Sequence, residues 1–281
     1  MNEDLGKYIN PLTDFGFKKL FGSEPNKILL IDLLNELLPD RKIKDLTYSS
    51  GEKQGLTELD RKAIFDLYCI GDNEERFIVE MQKAKQNYFK DRSVFYASFP
   101  IQEQGKKNHW NYKLDPVYSV GILDFVFDDH KDDKDVLHVV ELKNQHGEVF
   151  YDKLKFVYLE LPKFTKKEEE LETHFDKWMY VFTHLSQLHD RPPKLQERIF
   201  SRLFEAAEIA KFTPKEREAY EESLKYYRDI KNVVDTSREE GLKEGMEKGI
   251  EQVAKKMKQE GFTTEAIQKL TGLTADEIDN L

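Results

Sequence analysis

The sequence predicts an α/β protein, a mixed sheet flanked by helices, followed by a helical and heavily charged C-terminal region. Three observations carry this reading. Short apolar runs of strand character recur between residues 44 and 161, apolar residues at helical spacing precede and interrupt them, and no strand pattern follows Leu161-Pro162. With 281 residues, 39% of them hydrophobic and 12% aromatic, the chain has enough apolar material for a sizeable core.

The elements follow in order. Residues 26–38 set Ile28, Leu29, Ile31, Leu33, Leu34, Leu37 and Leu38 at helical spacing, and Pro39 stops the run. Strands are expected at residues 44–49, 61–71, 76–82, 116–127, 136–143 and 155–161. Gly71-Asp72-Asn73 is a turn signal, so 61–71 and 76–82 read as an antiparallel hairpin. Residues 84–104, with Phe89, Val94, Phe95, Ala97 and Phe99, read as a helix between the third and fourth strands. Residues 168–188, 195–211 and 214–232 are helical in period. The expected division is therefore a core over 1–165, a helical region over 166–235, and a charged, glycine-stepped helix with a small helical tail over 236–281.

In that last region Gly241, Gly245 and Gly249 recur every four residues. This period suits either a low-complexity connector or a helix with one smooth stripe that another helix can approach closely. Ile267, Leu270, Leu273 and Ile278 are expected to bury between two short terminal helices.

The net charge of −10 argues against a surface that binds nucleic acid everywhere, but phosphodiester chemistry needs local acidity for metal and local basicity for phosphate, which net charge averages away. The single cysteine, Cys69, sits in an apolar run and offers no disulfide framework. No basic start followed by an apolar run marks a signal peptide, and no apolar stretch approaches the ~20 residues needed to cross a bilayer, so a cytoplasmic protein without a membrane segment is expected. The seven histidines are scattered, and His130, His138 and His146 lack metal-ligand spacing.

The chemistry concentrates in Asp66-Leu67-Tyr68-Cys69 and Arg76-Phe77-Ile78-Val79-Glu80-Met81-Gln82. Side chains alternate along a strand, so Glu80 and Gln82 share a face, and a short turn places Asp66 beside Glu80. An aspartate amid Ile, Phe, Leu and Tyr is costly to bury unless it is paired or binds a cation. Two converging carboxylates supply hard oxygen ligands suited to Mg²⁺ or Mn²⁺, and the Met81 carbonyl could add a third. Gln82 would orient a water or a phosphate. The competing interpretation satisfies both acids with Arg61, Lys62 or Arg76. A rival pair also exists: Asp124 followed by Glu141-Leu142-Lys143 is literally an acid-x-lysine.

Several segments in order carry a family resemblance. They are Asn10-Pro11-Leu12-Thr13-Asp14-Phe15-Gly16-Phe17-Lys18-Lys19-Leu20-Phe21-Gly22, Asp66 in its strand, Glu80-Met81-Gln82, Arg92 with Tyr96, Pro116-Val117-Tyr118-Ser119-Val120 with Leu123-Asp124-Phe125, and Leu159-Glu160-Leu161-Pro162-Lys163-Phe164. Over about residues 8–165 the chain resembles the Rpn family of recombination-promoting nucleases, also called PD-(D/E)XK nuclease family transposases. The resemblance implies a restriction-endonuclease-like core and Mg²⁺-dependent cleavage of DNA linked to recombination, with no small-molecule cofactor. It implies Asp66, Glu80 and Gln82 as the catalytic positions, with Asp66, Glu80 and Met81 around the metal. Phe65 stands where the wider superfamily has proline, and Gln82 where it has lysine. Weak turnover, or a DNA-binding regulatory protein on a nuclease fold, is the alternative that this departure raises. Lys83 and Lys85 are candidates for a displaced lysine, although Lys83 should face away. Asp14 is a candidate accessory acid or a helix cap. Lys83, Lys85, Arg92, Lys106 and Lys107, interleaved with aromatics, form the expected phosphate-contacting surface. A homodimer is expected, since two sites are needed to break both strands in one encounter.

Overall fold

The computed structural model describes residues 6–53, 63–105 and 111–281. Arg61, Lys62, Lys106, Lys107 and Trp110 therefore lie outside the described residues. The chain resolves into two compact units, Met1–Arg228 and Asp229–Leu281.

The first unit opens with two helices, α1 (Asp14–Phe21) and α2 (Lys27–Leu37). Thr13, not Asp14, caps α1, its side-chain oxygen accepting the Gly16 N–H at 3.0 Å. Helix α2 buries Leu29, Leu30, Leu33, Leu34 and Leu37. Ile28, expected with them, is 51% exposed because it lies on the opposite side of the first turn.

Six strands then build one sheet: β1 (Leu46–Ser49), β4 (Leu67–Gly71), β5 (Arg76–Gln82), β6 (Val117–Leu123), β7 (Leu137–Lys143) and β8 (Val149–Glu160), in the order β1-β4-β5-β6-β8-β7. β1, β4 and β5 are antiparallel neighbours, β5, β6 and β8 run parallel, and β7 returns antiparallel along β8. The expected hairpin is present, but the strand predicted over 61–71 is not continuous. A bend at Asp66 separates β4 from β3 (Ala63–Ile64), which pairs instead with β2 (Glu52–Lys53) in a two-stranded sheet. Helix α3 (Phe89–Glu103) bridges the parallel pair β5 and β6, the connection that parallel strands require.

The two sheet faces have different cover. Leu67, Cys69, Phe77, Val79, Met81, Tyr118, Val120, Ile122, Val157 and Leu159 share one core with α1, α2, α4 (His174–His184) and α5 (Arg198–Ala207). Helices α4 and α5, which follow Leu161, thus complete the core of the sheet. The opposite face packs Tyr68 and Ile78 on Phe65 and Phe99, and Leu123, Phe156 and Tyr158 on Phe89 and Ala97 of α3. Cys69 is buried and free.

Helix α6 (Pro214–Gln259) is one uninterrupted helix, so Gly241, Gly245 and Gly249 stand in a helix and not in a loose connector. In the second unit α7 (Thr264–Thr271) and α8 (Ala275–Asp279) pack Ile267 and Ile278 on Ala254, with Leu273 partly buried against them. Leu270, expected in this small core, is 71% exposed. Among the described residues no helix is long and apolar enough to cross a membrane.

Candidate active site

The bend at Asp66 is what makes the site. Phe65 donates its N–H to Gly51 O at 2.8 Å and packs with Tyr68, Ile78 and Phe99, whereas Leu67, two residues on, faces the opposite core. Alternation is therefore broken at Asp66, just before β4 pairs Leu67 with Val79. Its carboxylate folds onto the next strand, and Asp66 Oδ2 accepts the Met81 N–H at 2.7 Å. The two acids are thereby placed at the same end of the β4–β5 pair.

Glu80 and Gln82 share the face covered by α3, since Val79 and Met81 between and before them enter the other core. Glu80 is only 8% exposed, and its Oε1 has no hydrogen-bond partner. Gln82 Oε1 is likewise buried without one. Arg92 of α3 comes within 3.6 Å of Glu80 Oε2. Its guanidinium lies over the rings of Phe89 (5.0 Å) and Tyr96 (5.6 Å), and one of its terminal nitrogens is buried without a hydrogen bond. Unpaired buried polar atoms are rare and mark either strain or an expected ligand.

The electrostatics agree with the geometry. Burial pushes the Glu80 carboxyl up to about 8, the negative charge of Asp66 adds to this, and Arg92 opposes it. Burial also raises Asp66, against the Met81 N–H that favours its charged form. Two buried carboxyls that each resist ionisation, one of them with an unpartnered oxygen, suit a hard divalent cation. Gln82 O accepts the N–H of Asp124, the residue just after β6, at 2.9 Å. Along a strand, neighbouring residues aim their backbone groups at opposite sides, so Met81 directs its carbonyl toward β4 and Asp66, as it does its N–H. Asp66, Glu80 and the Met81 carbonyl are thus a donor set that fits Mg²⁺ or Mn²⁺.

The other expected residues divide. Asp14, in the first turn of α1, pairs with Lys18 at 2.9 Å, and its charge reaches Asp66 and Lys83. Lys83 faces away from Gln82, with its ammonium 4.9 Å from the Tyr226 ring and 6.0 Å from that of Tyr227. Burial lowers its pKa. Lys85 is paired with Asp128. Neither lysine stands beside Glu80; among the described residues Arg92 is the cation that does. Arg76 does not satisfy the two acids, because it sits at the opposite end of β5 and pairs with Asp115 at 3.5 Å.

The rival pair does not assemble. Glu141 pairs in register with Lys155, which pairs with Tyr118, six residues before Asp124. At about 3.3 Å per residue that is a separation of roughly 20 Å along the sheet. Glu141 instead binds Lys155 at 2.8 Å and Lys143 at 3.4 Å, and Asp124 accepts the Tyr227 hydroxyl at 2.7 Å.

Residues 11–237 match the family model described as PD-(D/E)XK nuclease family transposase. The chain belongs to this family. The match extends past the sheet into α6, consistent with the core that the later helices complete. The mixed six-stranded sheet between helices is the restriction-endonuclease-like fold of PD-(D/E)XK proteins. Membership supports a nuclease-like function for this PD-(D/E)XK chain. No curated protein and no solved structure matches it.

Proposed function

We propose that the protein is a Mg²⁺- or Mn²⁺-dependent DNA endonuclease associated with recombination, hydrolysing phosphodiester bonds at the corner formed by Asp66, Glu80 and Gln82. The observation that carries this reading is the pair of buried acids whose Glu80 Oε1 has no protein partner, next to an equally unpartnered Gln82 Oε1. Asp66, Glu80 and the Met81 carbonyl hold the cation. When bound, such an ion polarises a phosphate and lowers the pKa of a water. Gln82 is neutral at any pH, so its amide orients the attacking water or the phosphate and carries no proton. Arg92 supplies the fixed positive charge that the usual lysine supplies, aimed at the same space as Glu80. Lys85 exchanges Asp128 for a phosphate, and Lys83, Lys106 and Lys107 extend the basic segment that positions the duplex. Asp14 tunes Asp66 from α1. The enzyme works in the cytoplasm as a homodimer, one site for each strand.

The test is cleavage of plasmid DNA by purified protein with Mg²⁺ or Mn²⁺, against Asp66→Asn. Loss of a direct ligand should cost more than the roughly 10–100-fold that follows loss of an outer partner. Equal rates for the two proteins would refute the assignment of Asp66. A second reading, a regulatory DNA-binding protein on the same fold, is favoured by one feature: Gln82 replaces the lysine while Lys85 is paired with Asp128 and Lys83 lies against the Tyr226 ring. DNA binding with no cleavage under any divalent ion would select it.

A further inference from the structure

Two histidines with no recognisable ligand spacing meet over one buried carboxylate. His130 ends a 3₁₀ turn (Asp128–His130) after β6, His138 lies on β7, and Glu160 closes β8. The β7–β8 pairing is what brings them together. His130 Nδ1 and His138 Nε2 each stand 3.1 Å from one oxygen of Glu160, and the two rings stack 4.2 Å apart. The three candidate ligand atoms lie within 4.8 Å of one another. Glu160 is fully buried at 0% exposure. It also accepts the Phe127 N–H at 2.8 Å and the Lys163 ammonium at 2.6 Å, and Lys163 Nζ lies 3.4 Å from His138 Nε2.

We propose that His130, His138 and Glu160 form a second cation site, for a transition-metal ion of the Zn²⁺ class, and that the Lys163 ammonium holds the place of the metal charge when no ion is bound. Two imidazoles and a carboxylate select Zn²⁺, Co²⁺ or Ni²⁺ over Mg²⁺. Bonds of about 2.0–2.2 Å in a tetrahedral site put ligand atoms roughly 3.4 Å apart, close to what the side chains already adopt. Each ring has a carboxylate near its outer nitrogen, although neither is within hydrogen-bond distance: Asp133 lies 3.6 Å from His138 Nδ1 and Asp129 4.0 Å from His130 Nε2. Entry of the ion exchanges one cation for another beside a buried carboxylate, so Glu160 is never left uncompensated.

The site is not a second catalytic metal. Glu160 is in register with Leu123, and Leu123 with Gln82, on one face of the sheet. Two strand spacings of about 4.8 Å put it roughly 10 Å from the acidic corner, whereas paired catalytic ions sit about 3.5–4 Å apart. What the ion would fix is the turn itself. Asp128 and Asp129 of that turn pair with Lys85 and Lys90, so clamping His130 to the sheet fixes the two acids that hold these lysines.

The experiment is calorimetric titration of chelator-stripped full-length protein with Zn²⁺ in excess Mg²⁺, repeated on Asp66→Asn/Glu80→Gln to silence the acidic corner. We expect one equivalent bound by both proteins, and binding weakened at least about 100-fold in His138→Ala. Titration with Co²⁺ should produce the intense visible absorption of a tetrahedral, nitrogen-ligated ion in the silenced variant. Lys163→Met, which removes the competing cation, should bind Zn²⁺ more tightly by about tenfold. Absence of binding to the wild-type protein, or unchanged affinity in His138→Ala, overturns the site. Weaker binding in Lys163→Met overturns the role given to Lys163. The wild-type stoichiometry and the cobalt spectrum decide the matter even where a histidine variant fails to fold, and neither depends on DNA cleavage.

Discussion

The charge state of Glu80 offers the sharpest test of the acidic corner. Its carboxyl titrates near 8 in the folded protein against 4.5 when exposed, with burial and the charge of Asp66 as causes. An acid whose pKa rises on folding keeps a proton that the unfolded chain has lost. Between pH 4.5 and 8 the folded state therefore binds more protons, and unfolding free energy falls as pH rises through that window, levelling off above it. The interval is 8 − 4.5 = 3.5, which at 1.36 kcal/mol for each step of one is at most about 5 kcal/mol. Glu80→Gln replaces the carboxyl with a neutral group of the same shape and removes this contribution. Urea unfolding in EDTA at pH 5 and pH 8.5 should show a wild-type loss several kcal/mol larger than that of Glu80→Gln, and a melting-temperature gap on the order of 10 °C at the higher pH. Mn²⁺ at pH 8.5 should recover much of the wild-type loss, because a cation that binds only the folded state at 100 times its Kd adds about 2.7 kcal/mol. The same Mn²⁺ should do little for the variant. Identical pH dependence in the two proteins would refute the claim that Glu80 is a strained acid held for a cation.

Arg92→Ala should lower kcat by about 10²–10³-fold with KM for DNA changed much less, and Arg92→Lys should recover part of it; a pure KM effect would reassign Arg92 to duplex binding. Glu141→Gln and Lys143→Met should leave cleavage within about twofold, since these side chains sit on the edge strand β7, three strands over from β5; a large loss in either would revive the rival acid-x-lysine pair. If two sites act in one assembly, supercoiled plasmid should pass directly to the linear form, and accumulation of the open circle would argue for independent single-site cuts.

What the sequence conceals is mostly what depends on a third dimension. Helix α2 could be read because one face of it meets one core, so burial prints its period on the chain, and strand β5 because, buried on both faces, it leaves a short apolar run just after a turn signal. Strand β8 starts at Val149, six residues before the expected 155, because its first half pairs with the exposed part of β7 and no buried face enforces alternation there. The bend at Asp66 left no mark either, since the residues around it are apolar on both sides and only their assignment to different cores reveals the break. The glycine steps in α6 were ambiguous because each glycine disfavours a helix, by about 1 kcal/mol. Pairs such as Glu244–Lys248 at 2.6 Å and the long flanking runs of helix-forming residues offset that. For the site, cross-strand arithmetic sufficed to bring Asp66 to Glu80. It could not show that Arg92, ten residues beyond Gln82, would turn back onto Glu80, because that depends on how α3 docks against the sheet.

The substitution of Gln82 for lysine has a further consequence for pH. A lysine at that strand position would need a buried ammonium beside carboxyls that are themselves raised by burial, and its charge would fail once it lost its proton. The guanidinium of Arg92 enters instead from α3, seated on the faces of Phe89 and Tyr96 at 5.0 and 5.6 Å; a guanidinium holds its charge where an ammonium loses its own. The strand position is then free for a neutral amide that orients without titrating. Dividing positioning and charge between two residues predicts a rate profile with an acid limb only: cleavage should rise as the acids of the corner lose their protons and then hold level into the alkaline range where a lysine-based site would decline. In Arg92→Lys an alkaline limb should appear. A wild-type profile that already falls on the alkaline side, with the protein still folded, would mean that a titrating cation such as Lys83 is at work and that Arg92 has been given the wrong part.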